Sequence, residues 1–338
     1  MELFGIKFAP LFVPMERRLQ TLAAASWFVT FVFGGFVGWI IIYNILFTRL
    51  YPLAILYMLW MAYDQKVYIL GGRRSEWVRN WVIWHYMREY FPIQLKKTDD
   101  LPADKNYLFC AYPHGMLCSG AFGNFVSASP EFEKLFPGLE PYLLTLNIHF
   151  NMPIFRDLLL GLGSCSSSKE SMTYLLGHPK KGKAVVLMVG GASESLYCHP
   201  GSYKIILKRR KGFIRLALET GAPLVPVFSF GETDVFDQVS NPPGSWLLWL
   251  QSTMKKVLGV APCIPIGRGI FQYSFGLAPR RSPITTVVGK PIILPQEKNP
   301  SSELVDKYHQ IFMDELVDLF DTNKDKYLED PKTKLIIE

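Results

Sequence analysis

Residues Leu19 to Thr48 carry no charge, a run of 30 positions, and beyond Arg49 the charge-free sequence resumes from Leu50 to Tyr63. A membrane-spanning helix needs ~20 apolar residues. The 45 positions from Leu19 to Tyr63 are therefore enough for two tight arms. Arg17 and Arg18 precede the stretch, and Lys66, Arg73, Arg74 and Arg79 follow it. Basic flanks favour the cytosolic side of a membrane. Both flanks are basic, so an even number of crossings is expected: a helical hairpin turning near Tyr43 to Arg49. Pro52 and the Gly34-Gly35/Gly38 cluster are expected to kink its arms. One span with an interfacial helix, or a re-entrant loop, are the alternatives. The run is too long for a cleaved signal peptide, and no small-residue cleavage site follows it.

The rest of the composition agrees. The chain is 49% hydrophobic and only 19% charged, with a formal net charge of +7. On a membrane-associated chain that excess favours anionic headgroups and polyanionic small molecules such as coenzyme A. Nucleic acid is not expected as a partner, because no basic stripe is interleaved with stacking aromatics. The five cysteines, Cys110, Cys118, Cys165, Cys198 and Cys263, are odd in number and widely spaced, with no C-x-x-C. Neither a zinc knuckle nor a redox pair is encoded, and no usable glycosylation sequon occurs. Both facts suit a domain facing the reducing cytosol. After the hairpin, Trp77, Trp81 and Trp84 fall at helical spacing among Arg73, Arg74, Arg79 and Arg88. They read either as an interfacial helix in the headgroup layer or as side chains packed on the domain core.

From about Lys105 short apolar runs alternate with helical stretches. Asn106–Tyr112, Lys183–Val189, Leu224–Phe230 and Thr285–Val288 read as strands. Ala121–Val126, Lys169–Leu176, Gly212–Thr220 and Ser302–Phe320 read as helices. Such alternation argues for an α/β fold, a mixed, largely parallel sheet flanked by helices. Asn241–Pro265, mixing Pro, Gly, Trp and Leu, reads as an insertion or lid in contact with lipid.

Two strand ends carry chemistry. Tyr107–Ala111 runs into Tyr112-Pro113-His114-Gly115 and leaves an imidazole at the edge where open α/β sheets bind ligands. Imidazole moves protons near neutral pH. The second run, Ala184–Val189, enters Gly190-Gly191-Ala192-Ser193-Glu194. Its glycine N–H groups could hold an oxyanion, and Glu194 brings a carboxylate to orient or charge-balance His114. Lys208-Arg209-Arg210-Lys211 stands before a helix start and suits phosphate, or is a solvated basic face. No G-x-S-x-G elbow, H-E-x-x-H or P-loop occurs, so an α/β-hydrolase, a zincin and a P-loop enzyme are not expected. No metal site is expected: Asp321–Asp325 begins like a calcium loop, but Lys326 and Lys332 stand where Gly and Glu are required. The His-x4-Asp pattern of phosphatidic-acid-pathway acyltransferases is also absent, since Ser119 fills its acidic position.

These blocks, in order, resemble the type-2 diacylglycerol acyltransferase family, which includes monoacylglycerol and wax-alcohol acyltransferases. The resemblance covers nearly the whole chain. It runs through Phe8–Pro14 and Glu16–Leu22, which look most like the monoacylglycerol branch, then Tyr90-Phe91-Pro92, Pro113-His114-Gly115 and Gly120–Asn124. Pro153–Asp157, Val189–Ala192 with Glu194, Arg210–Phe213, Leu224–Gly231, Gly267–Gly269, Phe271–Gly276 and Val287–Ile292 complete it. Animal members usually have His-Pro-His-Gly. Tyr112 replaces the first His, so any catalytic His of the motif must be His114. The Phe-Leu-x-Leu lipid-binding signature of some members is not found.

The resemblance implies a glycerolipid-acyltransferase-like fold. It also implies an endoplasmic-reticulum membrane enzyme with a cytosol-facing site and lipid-droplet association. The chain divides into a cytosolic segment 1–18, a hairpin 19–64, an amphipathic interfacial region 65–104 and a catalytic domain 105–338. The expected reaction is direct acyl transfer from acyl-CoA, a co-substrate and not a cofactor, to a mono- or diacylglycerol hydroxyl. His114 is the base, and Gly190, Gly191 or Gly115 supply oxyanion donors. Arg156, Arg210, Lys211 and Arg268 are candidate contacts to the CoA phosphates. A wax synthase using long-chain alcohols, and a non-catalytic droplet anchor, are the competing readings. The bilayer is the expected partner, and the oligomeric state, a homo-oligomer included, is left open.

Overall fold

The structure, a computed structural model, describes residues 2–10, 12–242, 244–258 and 262–338. In chain order the elements that matter are α1 (Met15–Leu46), α2 (Tyr51–Tyr63), α3 (Val82–Tyr90), β1 (Gln94–Lys97), β2 (Tyr107–Tyr112), β3 (Glu140–Thr145), α4 (Phe155–Gly161), β4 (Cys165–Ser166), α5 (Lys169–Leu176), β5 (Lys183–Met188), α6 (Ala192–Ser195), α7 (Gly212–Thr220), β6 (Leu224–Phe230), α8 (Trp246–Leu258), β7 (Thr285–Val288) and α9 (Ser302–Tyr327). Seven strands form one sheet in the order β1-β7-β6-β2-β5-β3-β4. The five from β6 to β4 are mutually parallel. β7 runs antiparallel to β6 and parallel to β1. The expected mixed, largely parallel sheet is present.

β2 lies at the centre because both its faces are apolar, as a strand covered on both sides must be. Leu108, Cys110 and Tyr112 point into one core, shared with Phe213 and Ile214 of α7 and Phe312 and Leu316 of α9. Tyr107, Phe109 and Ala111 point into the other, with Phe125, Phe132 and Phe136. The period of two thus divides one strand between two helical layers.

α1 is one continuous helix of 32 residues. It is long and apolar enough to cross a membrane, and among the described residues no other helix is. Its first half belongs to the domain. Ala23, Ala24, Trp27 and Phe28 are buried with Trp84, Met87 and Tyr90 of α3 and with Phe122 and Phe236. The second half exposes Phe33, Phe36, Trp39 and Ile40. α2 follows after a short turn, but its 13 residues extend only about 20 Å, less than the ~30 Å hydrocarbon core.

Three expectations are corrected here. α1 continues as one helix through its glycines, which serve close approach. A side chain at Gly35 would overlap Met152, and one at Gly38 would overlap the Pro153 carbonyl; these positions are small so that the helix can lie on that segment. Pro52 sits in the first turn of α2, where its missing N–H costs nothing. The tryptophans share no single helix: Glu76–Arg79 is a separate short turn and α3 starts at Val82. Trp77 is exposed, whereas Trp84 is buried, with its indole N–H donated to the Val78 carbonyl at 2.8 Å. The basic border is also turned inward, since Arg79 is buried and donates to the Val126 carbonyl, and Arg88 donates to Ser127 Oγ. Asn241–Pro265 contains α8, with Gln251 buried and Trp246 and Trp249 exposed.

Candidate active site

The three central parallel strands β6, β2 and β5 end side by side, and each delivers an ionisable group within a few residues of its end: Glu232, His114 and Glu194 respectively. Tyr112 is the last residue of β2 and joins Pro113 through a cis peptide bond. Its ring is fully buried beside Phe312, with centroids 6.4 Å apart, and its phenol oxygen has no partner. Strand alternation therefore sends Tyr112 into the core and away from the site. The next two residues turn the chain so that His114 is partly exposed at the edge.

The imidazole is held at one nitrogen. His114 Nδ1 lies 3.2 Å from the Gly115 carbonyl and 3.0 Å from Ser195 Oγ. A carbonyl oxygen can only accept, so the network assigns the proton to Nδ1 and leaves the Nε2 lone pair available. Burial pushes the His114 pKa below its usual value, which favours the neutral ring at neutral pH.

Glu194 does not touch that ring. Its Oε2 accepts from the backbone N–H of His114 and its Oε1 from that of Ile206, each at 2.8 Å. Glu194, expected to orient or charge-balance His114, meets its backbone, and Ser195 is the residue that meets the ring. A Cβ at Gly190 would overlap the Glu194 carboxyl group, so the first glycine of the pair makes room for the carboxylate. The Gly191 N–H donates to the Met188 carbonyl at 3.1 Å and closes the turn; that group is occupied and not available to an oxyanion. Gly115 has φ +56°. It lies in a turn closed by the Cys118 N–H to the His114 carbonyl at 3.1 Å. Among the described residues, the N–H groups of Gly115, Met116 and Leu117 meet no acceptor.

Glu232 was not anticipated from the sequence. It is buried, and its two oxygens accept from the N–H groups of Ser119 and Gly120, each at 2.7 Å. A side chain at Gly115 would come within 2.6 Å of it. The signal was a carboxylate directly after a strand and a glycine, Phe230-Gly231-Glu232, much like the one that marked Glu194. A carboxylate therefore does serve the position held by Ser119, but from a neighbouring strand. Burial raises the pKa of both Glu194 and Glu232 to about 7.

A model of the diacylglycerol acyltransferase family matches residues 43–338. The chain belongs to that family. It is similar to 2-acylglycerol O-acyltransferase 1 of Bos taurus, 47% identical over 95% of this chain and 96% of that one. It is also similar to 2-acylglycerol O-acyltransferase 3 of Homo sapiens, 45% identical over 92% and 91%. Human diacylglycerol O-acyltransferase 2 is 44% identical over 93% of this chain and 81% of that protein. Among solved structures it is similar to the 1-acyl-sn-glycerophosphate acyltransferase of Thermotoga maritima, with a TM-score of 0.40 and 13% identity over 90% of this chain and 97% of that one.

In this diacylglycerol acyltransferase family member, the four cations read as phosphate contacts separate. Arg210 reaches the site, with Nη2 at 3.3 Å from both the Gly190 carbonyl and Ser193 Oγ. Lys211 instead pairs with Asp306 of α9 at 2.6 Å. Arg156 is buried beside the end of α2, where it holds the Asp64 carboxylate at 2.9 Å and lies over Trp60. Arg268 donates to Tyr90 Oη at 2.8 Å and Thr21 Oγ1 at 3.1 Å, tying its loop to α3 and α1. For the last three, an arginine or lysine in a motif served packing, which spacing alone does not distinguish from ligand binding.

Proposed function

We propose that the chain is an acyl-CoA:acylglycerol O-acyltransferase that esterifies mono- or diacylglycerol on the way to triacylglycerol, with His114 as general base. The single observation that carries this reading is the partly exposed imidazole at the mouth of β2, held at Nδ1 by the Gly115 carbonyl and Ser195 Oγ. Nε2 takes the proton of the acceptor hydroxyl as its oxygen attacks the thioester carbonyl. The new C–O bond forms, the tetrahedral oxyanion collapses, the C–S bond breaks and the CoA thiolate leaves. The proton on His114 passes to the thiolate. N–H groups of the Gly115–Leu117 turn are the oxyanion donors in this scheme. One such donor contributes roughly 10²–10³-fold, and a positioned base about 10²–10⁴-fold.

The reading includes a location, the endoplasmic-reticulum membrane with the site towards the cytosol and access to lipid droplets. The apolar α1, the basic flanks and the free state of all five cysteines support it. The test is a membrane assay with labelled oleoyl-CoA and a panel of monoacylglycerol, diacylglycerol and fatty alcohol. Glycerolipid products are expected. His114→Ala should lower turnover by roughly 10²–10⁴-fold while leaving the protein in the membrane. Full activity in that variant would remove His114 from the mechanism, and wax ester as the main product would replace the acceptor.

A further inference from the structure

Beside the imidazole, the turn after β5 carries Ser193, a buried residue. Two cations converge on it from different elements. Arg210 approaches from the loop before α7 at 3.3 Å, and Lys255 of α8 bonds the same oxygen. Burial and then the positive charges of Arg210, Arg209 and Lys256 hold the Lys255 amine below its usual range. The four cations are therefore close enough to feel one another. Among the described residues, none of Arg209, Arg210, Lys255 and Lys256 pairs with a carboxylate. Their neighbour Lys211 does, through Asp306. Arg210 is near enough to the buried Glu194 carboxyl to act on it, but that single acid does not offset four cations gathered around a buried hydroxyl, and an anion bound there would relieve their repulsion. Guanidinium, ammonium and hydroxyl together match the oxygens of a phosphate. Ser193 precedes Glu194 and Ser195, which contact the His114 backbone and ring, so the cluster stands at the same sheet edge as the imidazole, with the donor's pantetheine arm left to span from phosphate to thioester.

We propose that Arg210 and Lys255, meeting at Ser193, form the binding site for the phosphate groups of the acyl donor's nucleotide. The proposal rests on the acyl-CoA reading above and adds α8 to the donor site. Lys255 lies in the segment read from sequence as an insertion or lid in contact with lipid, so the helix that exposes Trp246 and Trp249 also supplies a ligand to the donor.

The full-length protein, in phosphatidylcholine vesicles at saturating diacylglycerol, is assayed with oleoyl-CoA and with oleoyl-pantetheine, which keeps the thioester and lacks every phosphate. Arg210→Gln and Lys255→Gln should each lower the ratio of kcat/KM for oleoyl-CoA over oleoyl-pantetheine roughly tenfold, the worth of one charge-assisted hydrogen bond. An unchanged ratio, including an equal loss on both thioesters, overturns the assignment, because it means that the cations only position the loop. Should either variant fail to fold, adenosine 3′,5′-bisphosphate is titrated calorimetrically into the wild type. Binding that weakens with salt supports the site, and no binding overturns it. That titration needs no turnover, so it reads the site even if the His114 mechanism fails. Loss of partition onto phosphatidylglycerol vesicles in both variants, with the thioester ratio intact, would assign the cluster to lipid headgroups and overturn the proposal.

Discussion

Two buried carboxylates grip the loop that carries His114, one from each neighbouring strand, and neither reaches the ring. Glu194 holds the N–H of His114 and Glu232 those of Ser119 and Gly120. Each carboxylate uses both oxygens on backbone donors, which is why an acid and not an amide stands there: a carboxamide has one accepting oxygen and turns its NH2 towards the other N–H. Glu194→Gln and Glu232→Gln should therefore each leave one buried N–H unpaired, costing about 1–3 kcal/mol, and let the imidazole shift. A displacement near 1 Å can cost ~10²-fold in rate. The expected outcome is a fall of that order in kcat with little change in KM. Initial rates in isolated membranes, set beside thermal midpoints, check it; an unaltered kcat in both variants would show that the loop keeps its place without them.

Elements were legible where one signal governed them. Leu224–Phe230 and Thr285–Val288 are apolar, short and bounded by turns, and Lys169–Leu176 and Gly212–Thr220 have one apolar face; the structure has all four with those bounds. β3 was missed because Pro141 and the polar Glu140 and Thr145 at its ends hide an interior strand. The site was half legible for a related reason. Strand periodicity shows which ends meet at one edge, but not which atom a carboxylate will choose, so His114 and Glu194 were found while Ser195 and Glu232 were not. Glycines in α1 were ambiguous between flexibility and close approach, and only the partner segment decides. A bulky residue tests that decision: Gly38→Leu should push α1 off Pro153 and lower stability by about 1–3 kcal/mol or more. It should also weaken the bonds of Tyr57 to Asp157 (2.5 Å) and to the Ile154 N–H (2.7 Å). A lower thermal midpoint, with faster proteolysis near Met152, is expected. A variant as stable and as protected as the wild type would mean that α1 and the domain are not held together there.

At the scale of the whole molecule, the two carboxylates put stability and activity in opposition along the pH axis. Their pKa values are raised by burial to about 7 in the fold, against about 4.3 for an unperturbed glutamate. A raised folded pKa means that the folded state keeps its proton where the unfolded chain has lost it. The resulting stabilisation is complete below about pH 4.3, shrinks as pH rises, and is gone above about 7, on the order of a few kcal/mol for each group. His114, whose pKa is lowered, works the other way: its contribution is present above about 6.5, the unperturbed value, and is lost as pH falls. A comparison that isolates one carboxylate avoids this overlap. Glu194→Gln cannot titrate, so the thermal midpoint of the wild type relative to that variant should rise as pH is lowered from 8 to 5. Turnover should fall over the same interval, because a protonated carboxyl gives up one acceptor to the loop and a protonated imidazole has no lone pair for the acceptor hydroxyl. Circular-dichroism melts and initial rates at matched pH values measure both. If the midpoint difference stays flat with pH, Glu194 keeps an ordinary pKa in the fold, and any loss of rate in acid belongs to His114 alone.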